Sequence, residues 1–221
     1  MKQELWHGAQ NKFVLLFPRQ ELSFDKVKGL AKRFAVDGVI CISKKKQVAM
    51  QFYNPDGTKD NCGNALRVTA MFAYKNKLKG RKGIIFSQGK SYAFTIRNSS
   101  SKVFFENPHK KNGIWSIGNV RHKICIVDSF CKAKQKAIKL RNKFKCNITL
   151  VKKLSTGIFA QTFEVGVENF TASCGTGAIA AALEVQENKV FMPGGLLQVR
   201  RERESVSLEG KVKRIEVSHE S

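Results

Sequence analysis

Two cysteines with similar sequence surroundings are the residues best suited to chemistry in this 221-residue chain. Cys62 is followed by Gly63-Asn64 and Cys174 by Gly175-Thr176, and each run leads into an apolar, alanine-containing segment of helical length. A thiol at a helix N-terminus lies at the positive end of the helix dipole, which favours the thiolate over its reference pKa of about 8.5. The pattern therefore predicts two reactive thiols, one in each half of the chain.

The backbone N–H groups beside these thiols are suited to hold an anion. Those of Gly63, Asn64, Gly175 and Thr176 would bind a carboxylate at the two helix N-termini. If the two halves face each other, the carboxylate is held with one sulfur on each side. One thiolate could then remove a proton from one face of the adjacent carbon while the other thiol protonates the opposite face. This chemistry inverts a stereocentre by general acid–base catalysis.

Two other interpretations of the cysteines stay open. A free cysteine is commonly a small buried hydrophobe, and a single Cys-Gly pair does not exclude that role. Facing thiols of low pKa can also form a reversible disulfide that senses oxidants. The repetition of the motif half a chain apart favours catalysis over both.

Hydrophobic periodicity predicts the elements that position the cysteines. Residues 64–74 and 178–183 are apolar on nearly all sides, which predicts two helices buried within their domains. Amphipathic helices are predicted at 24–34 and 129–144. The first predicted strand is 12–17, and further apolar segments between turn residues predict strands along the rest of the chain.

The order of these segments predicts two similar halves, 1–110 and 111–221, with a linker at 108–112. A hairpin in the first half has a predicted turn at Lys44–Lys46. The last predicted strand, 213–217, could pack on the N-terminal half instead of its own.

Composition and charge limit the class of protein. With 42% hydrophobic residues and 16 Phe, the chain can bury a substantial core and is not disordered. Its 40 Lys and Arg against 17 Asp and Glu give a net charge of +23, which favours anionic partners. A solvated lysine-rich surface is the simpler interpretation, and because no aromatic-rich nucleic-acid motif accompanies the charge, we do not expect nucleic acid to be the partner.

Nothing in the sequence predicts a membrane segment or a metal site. The N-terminus lacks the apolar stretch of a signal peptide, and no apolar run is long enough to span a bilayer. We therefore expect a cytoplasmic protein whose six cysteines stay reduced. None of them forms a C-x-x-C pair with metal-ligand spacing.

Several motifs resemble those of the diaminopimelate epimerase family, the cofactor-independent two-cysteine amino acid racemases. The resemblance rests on Tyr53-Asn54-Pro55-Asp56-Gly57-Thr58 with Cys62-Gly63-Asn64, and on the segment 163–171 with Cys174-Gly175-Thr176-Gly177. Weaker similarities lie at 8–13, 119–122 and Asn147-Ile148. The motifs follow in the family's order over nearly the whole chain.

The resemblance implies an α+β fold of two pseudo-symmetric halves, each a curved, mostly antiparallel sheet wrapped around a central helix. The active site would lie in the cleft between them, without pyridoxal phosphate or metal. Cys62 and Cys174 would be the acid–base residues, assisted by His122 and Glu164. The implied substrate-binding residues are Asn11, Asn54, Gly63, Asn64, Asn147, Val165, Gly175 and Thr176.

Departures from the family pattern bear on the substrate. The diaminopimelate enzymes carry an arginine directly after the glutamate, where it binds the distal carboxylate, and this chain has Val165. Valine cannot make a bidentate contact with a carboxylate, and a closed pocket would leave that carboxylate without a partner. Gly38 stands where a polar pocket residue is frequent. The chain is also shorter than typical members between Phe105 and Ile114.

These observations predict a racemase or epimerase that inverts the α-carbon of an amino acid by a two-cysteine mechanism. The substrate would be diaminopimelate, converted from the LL to the meso form in lysine and peptidoglycan biosynthesis, or, given Val165, another amino acid such as histidine. A homodimer is left open. The alternative is a basic, non-catalytic protein that uses the same fold to bind RNA or another polyanion.

Overall fold

The computed structural model describes residues 3–44, 47–106 and 108–216 and divides into two compact units. Unit 1 comprises Met1–Val103 and Gly210–Ser221, and unit 2 comprises Phe104–Glu209. Both units are mixed α/β structures. The predicted hairpin turn at Lys44–Lys46 and the end of the last predicted strand at Val217 lie wholly or partly outside the described residues.

Strands of unit 1 pair in a ring, and two helices connect strands of that ring. The ring runs β1–β2–β3–β4–β6–β7–β8–β17 and returns to β1, and β5 pairs with β4. The strands are β1 (Gln3–Gly8), β2 (Asn11–Leu16), β3 (Gly38–Lys44), β4 (Val48–Tyr53), β5 (Lys59–Asp60), β6 (Lys82–Ser87), β7 (Lys90–Arg97), β8 (Ser100–Glu106) and β17 (Ser205–Ile215). The helices are α1 (Phe24–Phe34) and α2 (Gly63–Lys75).

Helix α1 joins the parallel strands β2 and β3 and has the predicted bounds. The Ser23 hydroxyl accepts the N–H of Lys26 at 3.4 Å and caps the helix. The negative charge of Asp25 in the first turn interacts favourably with the positive end of the helix dipole. Its apolar side buries Val27 and Leu30 against the sheet. The helix ends at Ala35, which has a left-handed conformation.

Helix α2 joins the parallel strands β4 and β6 and carries the first cysteine motif at its start. Every residue from Gly63 to Ala73 is buried, as the apolar sequence predicts. The helix contacts β1, β3, β4, β6 and β7. Burial on several sides leaves its N-terminal end as the place where its backbone N–H groups can meet a ligand.

Unit 2 contains strands β9–β16, part of β17 and two helices. Parallel pairing joins β11 to β12 and β13 to β15. Antiparallel pairing joins β9 to β10, β10 to β11, β12 to β13, β13 to β14, β15 to β16 and β16 to β17. The strands are β9 (His109–Lys111), β10 (Ile114–Ile117), β11 (Val120–Ile126), β12 (Asn147–Leu154), β13 (Gly157–Glu164), β14 (Asn169–Phe170), β15 (Lys189–Met192) and β16 (Gly195–Arg201). The helices are α3 (Ala133–Phe144) and α4 (Gly175–Val185).

Three predictions for this unit were wrong in detail. The predicted linker 108–112 contains strand β9. Helix α3 begins at Ala133 rather than 129, because the Ser129 hydroxyl accepts the N–H of Cys131 in a preceding turn instead of capping the helix. The sequence also predicts separate strands at 205–208 and 213–217, whereas Ser205–Ile215 form the single strand β17.

A matched pair of glycine substitutions tests the packing of unit 1. Gly29, inside α1, has open space around an added Cβ, so Gly29→Ala should stabilise the protein by about 0.5–1 kcal/mol through helix propensity. At Gly38 an added Cβ would lie 2.3 Å from Phe52 Cε2 and 2.8 Å from the Tyr53 carbonyl oxygen. Gly38→Ala should therefore destabilise by about 1–3 kcal/mol. Urea unfolding followed by circular dichroism measures both, and a change of the same sign in both variants would contradict the packing described.

Candidate active site

Cys62 is the N-cap residue of α2 and is partly exposed. Its backbone is extended, with φ −129° and ψ 116°, and its Sγ accepts the N–H of Ala65 at 3.4 Å. Its carbonyl oxygen accepts the N–H of Leu66 at 3.0 Å, which begins the helical hydrogen bonds. The sulfur therefore occupies the position of a capping oxygen, at the positive end of the helix dipole.

A buried polar network lies behind Cys62. Asn64 Nδ2 donates to Asn11 Oδ1 at 2.6 Å, and Arg67 Nη2 donates to Asn64 Oδ1 at 2.5 Å. Asn64 and Arg67 are completely buried, and Asn11 is nearly so. This network connects α2 to the start of β2 and sets the orientation of the first helical turn.

Cys174 is the N-cap residue of α4 and repeats the geometry of Cys62. Its backbone angles are φ −125° and ψ 110°, and its Sγ accepts the N–H of Gly177 at 3.4 Å. Thr176 Oγ1 lies 3.5 Å from the sulfur. Unlike Cys62, Cys174 is buried, with 5% of its surface exposed.

Hydrogen bonds link Cys174, through Thr176, to His122 and two strand threonines. His122 Nε2 lies 2.9 Å from Thr176 Oγ1, and Nδ1 lies 3.3 Å from Thr149 Oγ1. Thr149 Oγ1 in turn lies 3.0 Å from Thr162 Oγ1. Complete burial lowers the pKa of His122 to about 3, so the imidazole is neutral near pH 7.

Gly177 allows α4 to approach this threonine pair. A Cβ at Gly177 would lie 2.3 Å from Thr162 Oγ1 and 3.1 Å from Thr149 Oγ1. Only glycine leaves room for both hydroxyls beside the first turn of the helix. Gly177 is therefore required by packing.

Three more predicted residues lie together at the end of β13. Asn147 Oδ1 accepts the backbone N–H of Val165 at 2.7 Å, and Glu164 accepts a hydrogen bond from the Thr171 hydroxyl. Val165 is the first residue of the following turn, and 46% of its surface is exposed. Asn147 thus holds the backbone of Val165, and the valine side chain does not take part in that contact.

Asn54 lies in the turn that leads to β5 and Cys62. Its backbone N–H donates to the Thr58 carbonyl at 2.8 Å, and its Nδ2 donates to Thr58 Oγ1 at 3.0 Å. Asp56 Oδ1 accepts the Thr58 N–H at 2.9 Å. These bonds stabilise the Asn-Pro-Asp-Gly-Thr turn, where Gly57 has a φ of +92°.

The predicted site residues fall into both units. Unit 1 contains Asn11, Asn54, Cys62, Gly63 and Asn64, and the Asn11 and Asn64 side chains are hydrogen-bonded there. Unit 2 contains His122, Asn147, Glu164, Val165, Cys174, Gly175 and Thr176. There, His122, Thr176 and Cys174 form one hydrogen-bonded group, and Asn147 is bonded to Val165. The predicted catalytic and binding roles of all twelve stay predictions.

Sequence reasoning did not single out three residues of these networks: Arg67, Thr149 and Thr162. Arg67 had a usable signal, because it is the only charged residue between Gly63 and Tyr74 of an otherwise apolar helix. The two threonines had none, since β-branched residues are ordinary members of strands.

Two further properties concern the described residues as a whole. In residues 3–44, 47–106 and 108–216, no group of three or more His, Cys, Asp or Glu side chains is placed to hold a metal ion. Over the same ranges, none of the helices has the length and apolar character needed to cross a membrane.

No protein-family model matches the chain. Curated relatives do match it. The chain is 30% identical to a diaminopimelate epimerase of Campylobacter lari over 240 residues, covering 96% of each protein. It is 27% identical to a diaminopimelate epimerase of a Nitratiruptor species over 202 residues, covering 81% of this chain and 80% of that one.

Solved structures share the fold at low sequence identity. A predicted epimerase from Pseudomonas aeruginosa matches with a TM-score of 0.72 and 11% identity, over 98% of each chain. A hydroxyproline epimerase from Agrobacterium vitis, solved with trans-4-hydroxy-L-proline, matches with a TM-score of 0.63 and 9% identity, over 97% of this chain and 90% of that one. At this identity, both structures show the fold alone. The 30% identity to the Campylobacter lari enzyme over nearly the whole chain shows the family: the chain belongs to the diaminopimelate epimerase family, a family of isomerases.

Proposed function

We propose that this isomerase inverts the α-carbon of an amino acid without a cofactor, using Cys62 and Cys174 as its acid–base pair. The observation that carries the proposal is the repeated cap geometry. Each sulfur accepts the N–H of the third residue after it, at 3.4 Å, at the start of a buried helix. This arrangement favours a thiolate and directs the adjoining backbone N–H groups toward an anion.

The proposed reaction moves two protons and requires no redox change. The thiolate of one cysteine takes the α-proton, and the electron pair of the broken C–H bond stays on the α-carbon and its carboxylate. The thiol of the other cysteine then donates its proton to the opposite face of that carbon. The N–H groups of Gly63, Asn64, Gly175 and Thr176 bind the carboxylate, whose negative charge increases in the carbanionic intermediate.

His122 and Glu164 assist in different ways in this proposal. Because His122 is neutral, it orients the Thr176 hydroxyl toward Cys174 rather than supplying a positive charge. Glu164 accepts the Thr171 hydroxyl at the end of β13 and would receive the substrate's amino group. Asn11, Asn54 and Asn147 are the remaining proposed binding residues. Asn11 is bonded to Asn64, and Asn54 and Asn147 each form a hydrogen bond that stabilises a neighbouring turn.

We further propose that 1–110 and 111–221 are pseudo-symmetric halves, each with a sheet wrapped around a central helix, α2 or α4. The order of elements supports this. In the first half the order is β1, β2, α1, β3, β4, β5, α2, β6, β7, β8. In the second half it is β10, β11, α3, β12, β13, β14, α4, β15, β16, β17, with parallel pairs at the corresponding places.

The substrate proposal rests on Val165. Diaminopimelate is the substrate that the relatives' names suggest, with conversion of the LL to the meso form. Val165 offers no charge to a second carboxylate, which makes an amino acid with one carboxylate, such as histidine, the competing substrate. On either assignment, the ligand that we propose for this chain is a small-molecule amino acid.

Loss of either cysteine should abolish inversion. We expect the wild-type protein to exchange the α-hydrogen of its substrate with deuterated water. Cys62→Ala and Cys174→Ala should each reduce inversion by about a hundredfold or more, since each removes one partner of the acid–base pair. The control is Cys131→Ser, because Cys131 is exposed and outside both networks. Proton NMR and chiral chromatography over a panel of amino acids, diaminopimelate and histidine included, make the measurement; no exchange with any of them would refute the proposal and favour the polyanion-binding alternative.

An arginine at position 165 should shift specificity toward a substrate with two carboxylates. Val165→Arg places a guanidinium on a backbone that Asn147 already holds, and kcat/KM for diaminopimelate should rise about 10- to 100-fold relative to a monocarboxylate amino acid. Val167→Arg, in the same turn and 51% exposed, adds the same charge at a neighbouring position and should leave the ratio unchanged. Equal effects of the two variants would show that the change reflects net charge alone.

Acid should destabilise the fold through His122. Its folded-state pKa of about 3 lies below the unfolded value of about 6.5, so the unfolded state binds the extra proton first as pH falls. This contribution to stability is complete above pH 6.5 and is lost by about 1.4 kcal/mol for each pH unit between 6.5 and 3. Urea unfolding at pH 7 and pH 5 should show a smaller loss for His122→Gln, by about 2 kcal/mol. The exposed His109→Gln should keep the wild-type loss, and an identical loss in His122→Gln would contradict the burial of a neutral imidazole.

A further inference from the structure

Arg67 is a completely buried cation in the helix that Cys62 begins. It is the only charged residue of the buried segment Gly63–Ala73, and 0% of its surface is exposed. Nη2 donates to Asn64 Oδ1, whereas Nε and Nη1 have no hydrogen-bond partner in the part of the chain that the structure describes. A guanidinium has five N–H donors, so most of the donor capacity of Arg67 is left over after the single bond to Asn64.

Charge burial of this kind requires a compensating anion nearby. Burial lowers the pKa of Arg67 to about 10, and this value still leaves the side chain charged near pH 7. Within the described residues, Arg67 forms no ion pair with a carboxylate. The anionic group that raises its pKa, and so opposes the effect of burial, is Cys62. The interaction is reciprocal, because a cation that is stabilised by a thiolate favours that thiolate in turn.

Other titratable groups on the strands that contact α2 do not supply this anion. Burial lowers the pKa of His7 on β1, which keeps it neutral, and Glu4 on β1 is bonded to Trp6 and paired with Arg214. Burial raises the pKa of Cys41 on β3 and of Tyr53 on β4 to about 12, so both are neutral near pH 7. Among these groups of the described residues, Cys62 is therefore the one that can supply a negative charge to Arg67.

The second cysteine has no equivalent cation on its helix. Arg67 lies five residues after Cys62, and the residue five after Cys174 is Ile179, which is completely buried. No residue from Gly175 to Ala182 carries a charge. Thr176 lies beside the Cys174 sulfur and is itself bonded to the neutral His122. The same cap geometry is therefore combined with a buried charge in α2 and with neutral groups in α4.

We propose that Arg67 is a positioning residue that holds Cys62 as the thiolate in the resting protein, and that Cys174 rests as the thiol. This inference rests on the proposed acid–base role of the two cysteines and specifies it: the substrate enantiomer whose α-hydrogen faces Cys62 reacts with the resting form. Arg67 acts in two ways, by its charge and by its hydrogen bond to Asn64, whose amide in turn donates to Asn11. Because it is enclosed, Arg67 does not itself contact the substrate.

The test measures alkylation of each cysteine against pH and does not require activity. In the wild type, iodoacetamide labelling followed by peptide mass spectrometry should give a midpoint for Cys62 at least one pH unit below that for Cys174, a tenfold difference in thiolate fraction at low pH. Comparing midpoints rather than rates removes the effect of their different exposure. Arg67→Met should raise the Cys62 midpoint by at least one unit and leave that of Cys174 in place, whereas Arg67→Lys, which keeps the charge, should retain most of the shift.

The matched control is Ile179→Met, which changes the equivalent position of α4 and should move neither midpoint by more than a few tenths of a unit. A wild-type midpoint for Cys174 at or below that of Cys62 would overturn the proposal, and this measurement stands even if Arg67→Met does not fold. An unchanged Cys62 midpoint in folded Arg67→Met would also overturn it. Because labelling is independent of turnover, a failure here with normal deuterium exchange refutes the role of Arg67, and the reverse result refutes the proposed function alone.

Discussion

The burial of α2 and α4 is the constraint on which the rest of each unit depends. A helix enclosed by other elements cannot hydrogen-bond its first N–H groups to water, so something at its N-terminus must accept them. In both helices a cysteine sulfur accepts the third N–H, at 3.4 Å. Sulfur is a weak acceptor when it is a thiol and a strong one when it is a thiolate, so the cap is most effective in the charged form. The need to cap a buried helix therefore also favours the thiolate form of its cysteine.

The two units meet this requirement with different second layers. Unit 1 places Asn11, Asn64 and Arg67 behind the cap, and unit 2 places Thr176, His122 and Thr149 there. The residues behind the cap in unit 1 include a full charge, which is costly to bury without an anion. Those in unit 2 are neutral groups that can each donate and accept, so their hydrogen bonds can form with the protons in either arrangement. The two caps therefore differ in the charge of the groups that lie behind them.

Sequence reasoning predicted the parts of this molecule that depend on periodicity. The bounds of α1 and the burial of α2 follow from the spacing of apolar residues and are confirmed. Strand β1 was not predicted, because the buried Glu4 occupies an inward position and hides the alternation; its carboxylate accepts the Trp6 indole N–H at 3.1 Å. Buried polar residues identify networks only when their partners are known. Arg67 bonds to Asn64 in its own helix, and Asn64 then bonds to Asn11 on β2. His122 has its partners on β12 and α4. A polar residue within an apolar segment indicates from the sequence that it is buried. Its hydrogen-bond partners are known only from the tertiary structure.

The backbone of Val165 is held independently of its side chain. Asn147 holds the backbone of Val165 through an N–H bond of 2.7 Å, and a backbone bond does not depend on the side chain at that position. Val165 is the first residue of a turn in which Gly166 has a φ of +86°, and both Val165 and Val167 are exposed. A substitution at 165 can therefore change the side chain that this turn presents while the caps of α2 and α4 keep their geometry. Members of one family can in this way keep the same fold and backbone contacts and differ in the side chains that a turn carries.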